Sequence, residues 1–370
     1  MPSKSERLTS LDAFRGIAIA GMILVNNPGS WSHIYAPLEH AEWHGWTLTD
    51  LIFPFFLFII GVAMTFSFAK QLAGAKTRQS IYLRIVKRTC ILFGLGLFLN
   101  GFPHYHFATI RIPGVLQRIA VVYLFASILT LNTNAKGLAW VTAGLLLFYW
   151  GLMKLIPVPG HGAGDLSVTG NLAAYVDNHL LHGHMWKETW DPEGLLSTLP
   201  AVASTLSGVL VGYWIRSGKE KREIAGWMFV SGWAAILAGL VWHNWFPINK
   251  NLWTSSYVLF TSGAALQFLG VCYWLIEVQG IKRWAYPAIV YGMNSIAVFV
   301  LSGLEARLTI LIKVHAANGG TVALKSWLYQ NIFASWAGPL NGSLAFAIAN
   351  ILFWLGLMAI LYHKRIFIKI

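Results

Sequence analysis

Charge is what this chain has least of. Asp, Glu, Lys and Arg make up 11% of its 370 residues, against about 25% in ordinary soluble domains. That excludes a soluble globular domain with a charged surface. Cysteine is almost missing too. Cys90 and Cys272 lie in or beside predicted helices, with no disulfide partner and no metal-ligand spacing, so packing is the role they suggest. There is no P-loop, no G-x-G-x-x-G and no G-x-S-x-G, which removes support for a nucleotide hydrolase or a serine hydrolase.

What fills the chain is apolar. Hydrophobic residues reach 56%, mean hydropathy is +0.58, and apolar runs near the length of about 20 residues needed to cross a bilayer recur throughout. Eighteen Trp and thirteen Tyr suit interfacial anchoring. The expected fold is an all-α polytopic membrane helix bundle, a single unit over residues 1–370. About ten transmembrane helices are expected, at 13–27, 47–68, 87–101, 113–131, 137–156, 195–214, 224–245, 255–276, 287–304 and 342–362. The first resembles a signal peptide but lacks a small-residue cleavage site, so it reads as an uncleaved helix.

The net charge of +13 does not point to nucleic acid, because the cations gather in loops on alternate sides of the helices. Lys4, Arg7, Lys70, Lys76, Arg78, Arg84, Lys87, Arg88, Lys136, Arg216, Lys219, Lys221, Arg222, Lys282, Arg283, Lys364, Arg365 and Lys369 share one side. Arg111, Lys187, Lys250, Lys313 and Lys325 are the main cations of the other. The positive-inside rule then makes both termini cytoplasmic. Three extracytoplasmic loops are expected, at 28–46, 157–194 and 305–341, the last with an interfacial or re-entrant helix. Eleven of the twelve histidines fall on that outer side, His363 being the exception.

Residues 11–61 are the most suggestive stretch. His40, flanked by Glu39 and Glu42, sits just before the second span, where a neutral imidazole can act as general base or sit in the loop without a role. Such a base predicts a rate that rises through the ordinary imidazole range near about 6.5. Asn26 ends the first span and suits either an oxyanion partner or a helix C-cap. Asp50 opens the second span, where a carboxylate also serves as a helix cap. Pro54 is expected to kink that span or open its first turn.

Deeper in the chain, Arg118 lies seven residues past Arg111, about 10 Å along a helix, with Gln117 beside it. An intramembrane arginine needs an anionic ligand or an internal partner, Asp12 or Asp50 being the candidates. Arg15, near the inner end of the first span, suits a phosphate or a snorkelling role. Asn294 is a polar residue inside the ninth span. His179, His182 and His184, at i, i+3 and i+5, do not share a helical face, and no metal is expected.

The segments LDAFRGIAIAGMILVN, HAEWHGWTLTDLIFPFFLFIIG, RIPGVLQRIAVVYL, WDPEGLLSTLPA, FPINKNLWTSSYVL and YGMNSIAVFV, in this order, resemble the heparan-α-glucosaminide N-acetyltransferase family from about residue 8 to the last helix. The resemblance implies a transmembrane acetyltransferase that takes acetyl-CoA from the cytosol and acetylates an amino sugar on the other side. It implies His40 as the catalytic histidine, Asn26 at the reaction centre and Asp50 as the acid of the T-x-x-D-L segment. Arg15, Gln117, Arg118 and Asn294 are the candidates for holding acetyl-CoA. The sequence departs at His44, where the family often has Asn, and in a longer loop between Asn26 and His40. No counterpart of the extra lumenal domain of the animal enzymes is read here, so a bacterial inner membrane is the expected setting. The departures leave the acceptor open, an amino sugar or another glycan, and with it N- or O-acetylation. His40 as base and His40 as acetyl carrier also stay open.

The runner-up is a secondary transporter for sugars or amino sugars, which ten spans and intramembrane polar groups also suit. No inverted repeat supports it. The bilayer is the one certain partner, and a homo-oligomer stays open because an interface between apolar helices looks like any lipid-facing surface.

Overall fold

An apolar segment in a bilayer has no water for its peptide groups, so it satisfies them internally as a helix. The computed structural model describes residues 8–74, 77–315 and 320–368. It is mostly helical (71%), with two short antiparallel hairpins. The helices are α1 (Thr9–Asn26), α2 (Leu48–Ala73), α3 (Arg78–Gly101), α4 (Val115–Asn132), α5 (Ala135–Leu155), α6 (Leu172–Leu181), α7 (Thr198–Ile215), α8 (Lys221–Trp242), α9 (Ser255–Tyr273), α10 (Tyr286–Met293), α11 (Ser295–Leu311), α12 (Leu324–Leu328) and α13 (Ser335–His363). Lys4, Arg7, Lys76 and Lys369, four of the expected inner-side cations, lie outside the described residues.

Each of the ten expected spans falls on helix. Among the described residues, eight helices are long and apolar enough to cross a membrane, or nine if one bent pair counts as a span. This is a multi-pass membrane protein. The 24-residue α3 falls outside that set because Arg78, Arg84, Lys87 and Arg88 crowd its first half. Three expectations change in detail. The ninth span is not continuous over 287–304: α10 and α11 meet at Asn294 with a bend of 71°. The expected loop 305–341 is largely structured. There α11 runs on to Leu311, a hairpin pairs Lys313–His315 with Thr321–Ala323, and helix resumes at Leu324, kinked only at Gly338 before Pro339. Pro54 lies inside α2, which continues through it as one helix.

Small residues let the helices approach closely, as membrane bundles require. A Cβ on Gly61 of α2 would collide with the Thr205 carbonyl of α7, and one on Gly208 of α7 with the Phe58 carbonyl of α2. Gly232 of α8 and Gly263 of α9 face each other in the same way. Gly16 brings α1 against the Ala288 backbone of α10.

The loops gather at one end. Gly45 N–H donates to Ile248 O at 2.8 Å, Ile112 N–H to His184 O at 2.9 Å and Gly29 N–H to Ser343 O at 3.2 Å. The Trp43 indole donates to Leu166 O at 2.7 Å. These bonds tie residues 28–46 to the 157–194 segment, to the α8–α9 loop and to the head of α13. At the opposite end, Asn294 donates to Ile366 O and accepts from Ile368 N–H, and Arg15 reaches Gly292 O. The start of α1 and the tail after α13 therefore share that end.

Candidate active site

The loop before α2 closes on itself. The Thr47 hydroxyl donates to Glu39 O at 2.5 Å, and Thr47 forms a reciprocal cap with Asp50 at the head of α2. The two carboxylate oxygens of Asp50 divide the work. Oδ2 accepts Thr47 N–H at 3.0 Å and Ala41 N–H at 3.1 Å. Oδ1 stands 2.6 Å from His40 Nδ1. Tyr257 of α9 donates to the Asp50 carbonyl at 2.5 Å. The carboxylate is 1% exposed at a helix N-terminus, where the dipole favours its charge. The cap and the histidine partner, alternatives in the sequence, are here one group.

Lys250 completes the cluster. Its Nζ lies 3.4 Å from Asp50 Oδ1, 3.0 Å from His40 Nδ1 and 3.3 Å from Nε2. Burial lowers its pKa from the usual lysine value, with Asp50 and Glu193 pulling the other way. Its loop is held by Asn249, which accepts Leu252 N–H at 2.9 Å, and by Thr254, which accepts Asn249 N–H at 3.1 Å. Asn249 also meets His44 Nδ1 at 3.3 Å. Burial, then the nearby His243, lowers the His44 pKa.

A wall of charge stands behind. Arg111 grips Asp191 through two bonds of 2.8 and 2.7 Å and Glu193 at 2.5 Å. Burial works against its cation, but the Asp191 hydrogen bond and the Glu193 charge outweigh it and raise the Arg111 pKa. Arg118 donates to Gly194 O at 3.0 Å and to the Ser197 hydroxyl. Its guanidinium lies 5.1 Å over the Trp253 ring, while Nε and Nη1 have no hydrogen-bond partner among the described residues. Trp253, wholly buried, holds φ +51°, a strained setting for a bulky residue of the kind that collects at functional sites. The expected internal partners of Arg118 are corrected: Asp12 pairs with Arg15 at 3.3 Å, and Asp50 with His40 and Lys250.

The four candidates for acetyl-CoA do not form one site. Arg15 lines a cavity of about 300 Å³ between α1, α2, α3, α4 and α10–α11. Asn294 sits beside it, since Met293, Ser295 and Ile368 line the same cavity. Gln117 and Arg118 do not line it. Gln117 fills the α3–α4 crossing against Gly96, and Arg118 faces α7. Asn26 ends α1 with an exposed side chain, and no hydrogen bond joins it to His40 or Asp50. Arg88, the end of the 70–88 basic stretch that the sequence also offers for the phosphates and here within α3, lines the cavity too; its Nε has no hydrogen-bond partner among the described residues and its guanidinium lies 4.7 Å over the Tyr123 ring. Among the described residues no group of three His, Cys, Asp or Glu side chains is placed to hold a metal.

Sequence reasoning passed over Lys250, Asp191, Glu193, Trp253 and Tyr257 as site residues. Their signal lay in the WDPEG and FPINKNLWTSSY segments, and in the rarity of cations on that side.

Fold and site together define a multi-pass helical membrane protein with a histidine–aspartate pair and a lysine at its loop-rich end. Residues 7–244 match the family described as heparan-alpha-glucosaminide N-acetyltransferase, catalytic. The chain is 30% identical over 426 residues to heparan-alpha-glucosaminide N-acetyltransferase of Mus musculus, with 100% of this chain and 61% of the relative covered. It is 31% identical over 352 residues to the protein of that name in Homo sapiens, covering 80% and 52%. The chain belongs to the heparan-alpha-glucosaminide N-acetyltransferase catalytic family, and it spans between half and two thirds of the length of these relatives.

Proposed function

We propose that this protein is a transmembrane acetyltransferase that carries an acetyl group from cytosolic acetyl-CoA to an amino sugar or related glycan on the far side of a membrane. Membership of the family supports the chemistry. The relatives named above are N-acetyltransferases, which favours an amine acceptor, and nothing in them favours a transporter. The observation that carries the reading is the His40–Asp50 contact of 2.6 Å at the end of the bundle towards which the cavity leads.

The cavity supplies the route. Ile368, Arg15 and Ser67 line it towards the end shared by the chain termini, and Val115 and Leu116, at the head of α4, line it towards the loops. Met22, one turn before Asn26, and Phe56, six residues after Asp50, line it between. Its volume matches the lower end of small-molecule pockets, about 300–1,000 Å³. Arg15 and Arg88 would hold phosphate groups, and the apolar walls would take the pantetheine arm. Residues 1–370 then act as one unit with ten spans. Both termini face the cytosol, and the loops 28–46, 157–194 and 305–341 lie opposite. In a bacterial cell this places the chain in the inner membrane.

At the loop-rich end, Asp50 orients His40 through Nδ1, and Nε2, with Lys250 Nζ 3.3 Å away, is the nitrogen for chemistry. In direct transfer, the acceptor amine forms its bond to the acetyl carbon and gives a proton to Nε2. The C–S bond breaks, and the ring returns that proton to the leaving sulfur as CoA. In the two-step form, Nε2 attacks the acetyl carbon and the C–S bond breaks to release CoA as the thiolate; the acceptor amine then takes the acetyl group from Nε2, and the proton it loses balances the thiolate. Asn26, at the same end, suits the oxyanion.

The test is transfer of label from radioactive acetyl-CoA to glucosamine by purified protein in detergent, wild type beside His40→Ala. The expected result is transfer in the wild type, none in the variant, and acetyl-CoA binding in both. Full activity in His40→Ala would overturn the assignment of His40. Absence of acetyl-CoA binding in the wild type would overturn the proposed class.

A further inference from the structure

Lys250 reaches His40 and Asp50 from the protein side. Its side chain is 17% exposed, whereas that of His40 is 50% exposed. A half-exposed loop imidazole held at one nitrogen keeps rotational freedom, and a donor within 3.0 and 3.3 Å of its two nitrogens removes it. The lysine is delivered deliberately. Gly45 N–H donates to Ile248 O, so the loop carrying His40 is tied to the loop carrying Lys250, and Asn249 and Thr254 brace the latter. The charged groups around the pair are Asp50 from α2, Glu193 from the long loop and Arg118 from α4, with Glu39 and Glu42 in the histidine's own loop.

We infer that Lys250 is a positioning residue for the proposed transfer: its ammonium, 3.4 Å from Asp50 Oδ1 and 3.0 Å from His40 Nδ1, clamps the ring against Asp50 so that Nε2 keeps the orientation in which it meets the acetyl group. This rests on the reading of His40 as the reacting group. The clamp acts by geometry, since small displacements of a reacting group cost much of the rate.

The experiment compares Lys250→Met and Lys250→Arg with the wild type, with melting temperature as the folding control. Lys250→Met is expected to lose about tenfold or more in kcat, with KM for acetyl-CoA changed by less than about twofold. Lys250→Arg, which keeps a donor beside the ring, restores kcat. Carbethoxylation of His40 by diethyl pyrocarbonate, read by mass spectrometry, is expected to quicken in Lys250→Met because the ring nitrogens lose the neighbour that covers them. A Lys250→Met protein whose kcat and labelling rate both overlay those of the wild type overturns the inference, as does Lys250→Arg behaving like Lys250→Met. The labelling needs no turnover, so it reads Lys250 even if His40→Ala shows that His40 is not the reacting group.

Discussion

The guanidinium of Arg118 lies over the indole of Trp253, 5.1 Å from its ring centre, and the two side chains join α4 to the α8–α9 loop. Trp253 in turn donates to the Ser204 hydroxyl of α7 at 3.0 Å, and Arg118 to Gly194 O at 3.0 Å. One stacked pair therefore links three separate stretches under the site. Arg118→Met would remove the guanidinium's bonds to Gly194 O and the Ser197 hydroxyl, worth about 1.5–3 kcal/mol each as charged hydrogen bonds, while Gly194 O keeps the Ser197 and Thr198 hydroxyls. Arg118→Lys would keep the charge and lose the planar fork. Thermal unfolding in detergent is expected to rank wild type above Lys above Met; a Met variant as stable as the wild type would refute the linking role.

Asp50 separates capping from catalysis by substitution. Asp50→Asn retains an acceptor for Thr47 and Ala41 but removes the charge facing His40, so turnover is expected to fall about 100-fold or more with little change in melting. Asp50→Ala loses the cap as well, which costs about 1 kcal/mol more in stability. Activity assays beside melting curves separate the two effects. Equal melting in both variants would mean that the cap adds nothing.

Arg88 tests the cavity. Its Nε is buried without a partner, and Arg88→Gln removes the cation while keeping a polar group. KM for acetyl-CoA is expected to rise about tenfold, the loss of one charge-assisted contact, with kcat nearly unchanged. Titration calorimetry with CoA checks the same point without turnover, and unchanged affinity would place the phosphates elsewhere.

Asp177 gives the pH dependence of stability. Burial pushes its carboxyl up from 3.8 to about 6, against the pull of Leu195 N–H and the Arg118 charge. A carboxyl raised in the folded state contributes stability that is present below its unfolded value and lost as pH rises through the folded one. Asp177→Asn keeps an acceptor for Leu195 and removes the charge. It is expected to melt about 2–4 °C above the wild type at pH 7.5, with the gap closing towards about pH 4. A gap that does not depend on pH would assign the effect to packing instead.

Much of the site was legible residue by residue. His40 stood out as an imidazole between two acids, and Asp50 as a carboxylate opening an apolar helix. Their contact was not legible, because it depends on the Thr47–Glu39 closure that folds ten residues back onto the helix head. The partner of Arg118 was misread for a related reason. Helical spacing gives the depth of a side chain, but not which neighbouring helix its face meets, and that face meets α7 and Trp253 rather than Asp12 or Asp50. The break at Asn294 was read as continuous helix, since the amide that the tail residues 366–368 engage looks from the sequence like any polar residue within a span.

The multi-pass helical character, the approximate placing of the helices and the uneven spread of basic loops follow from composition along the chain, because a bilayer solvates each segment largely by its own residues. The family can be read from the order of its motifs. Which residues meet cannot, because each contact sums the register of several helices and the path of two loops. His40, Asp50 and Lys250 come from positions up to 210 residues apart. They meet because glycine-lined crossings such as that of Gly61 with Gly208 set the helices close, and because the loop hydrogen bonds from Gly45 and Asn249 close the end of the bundle over them.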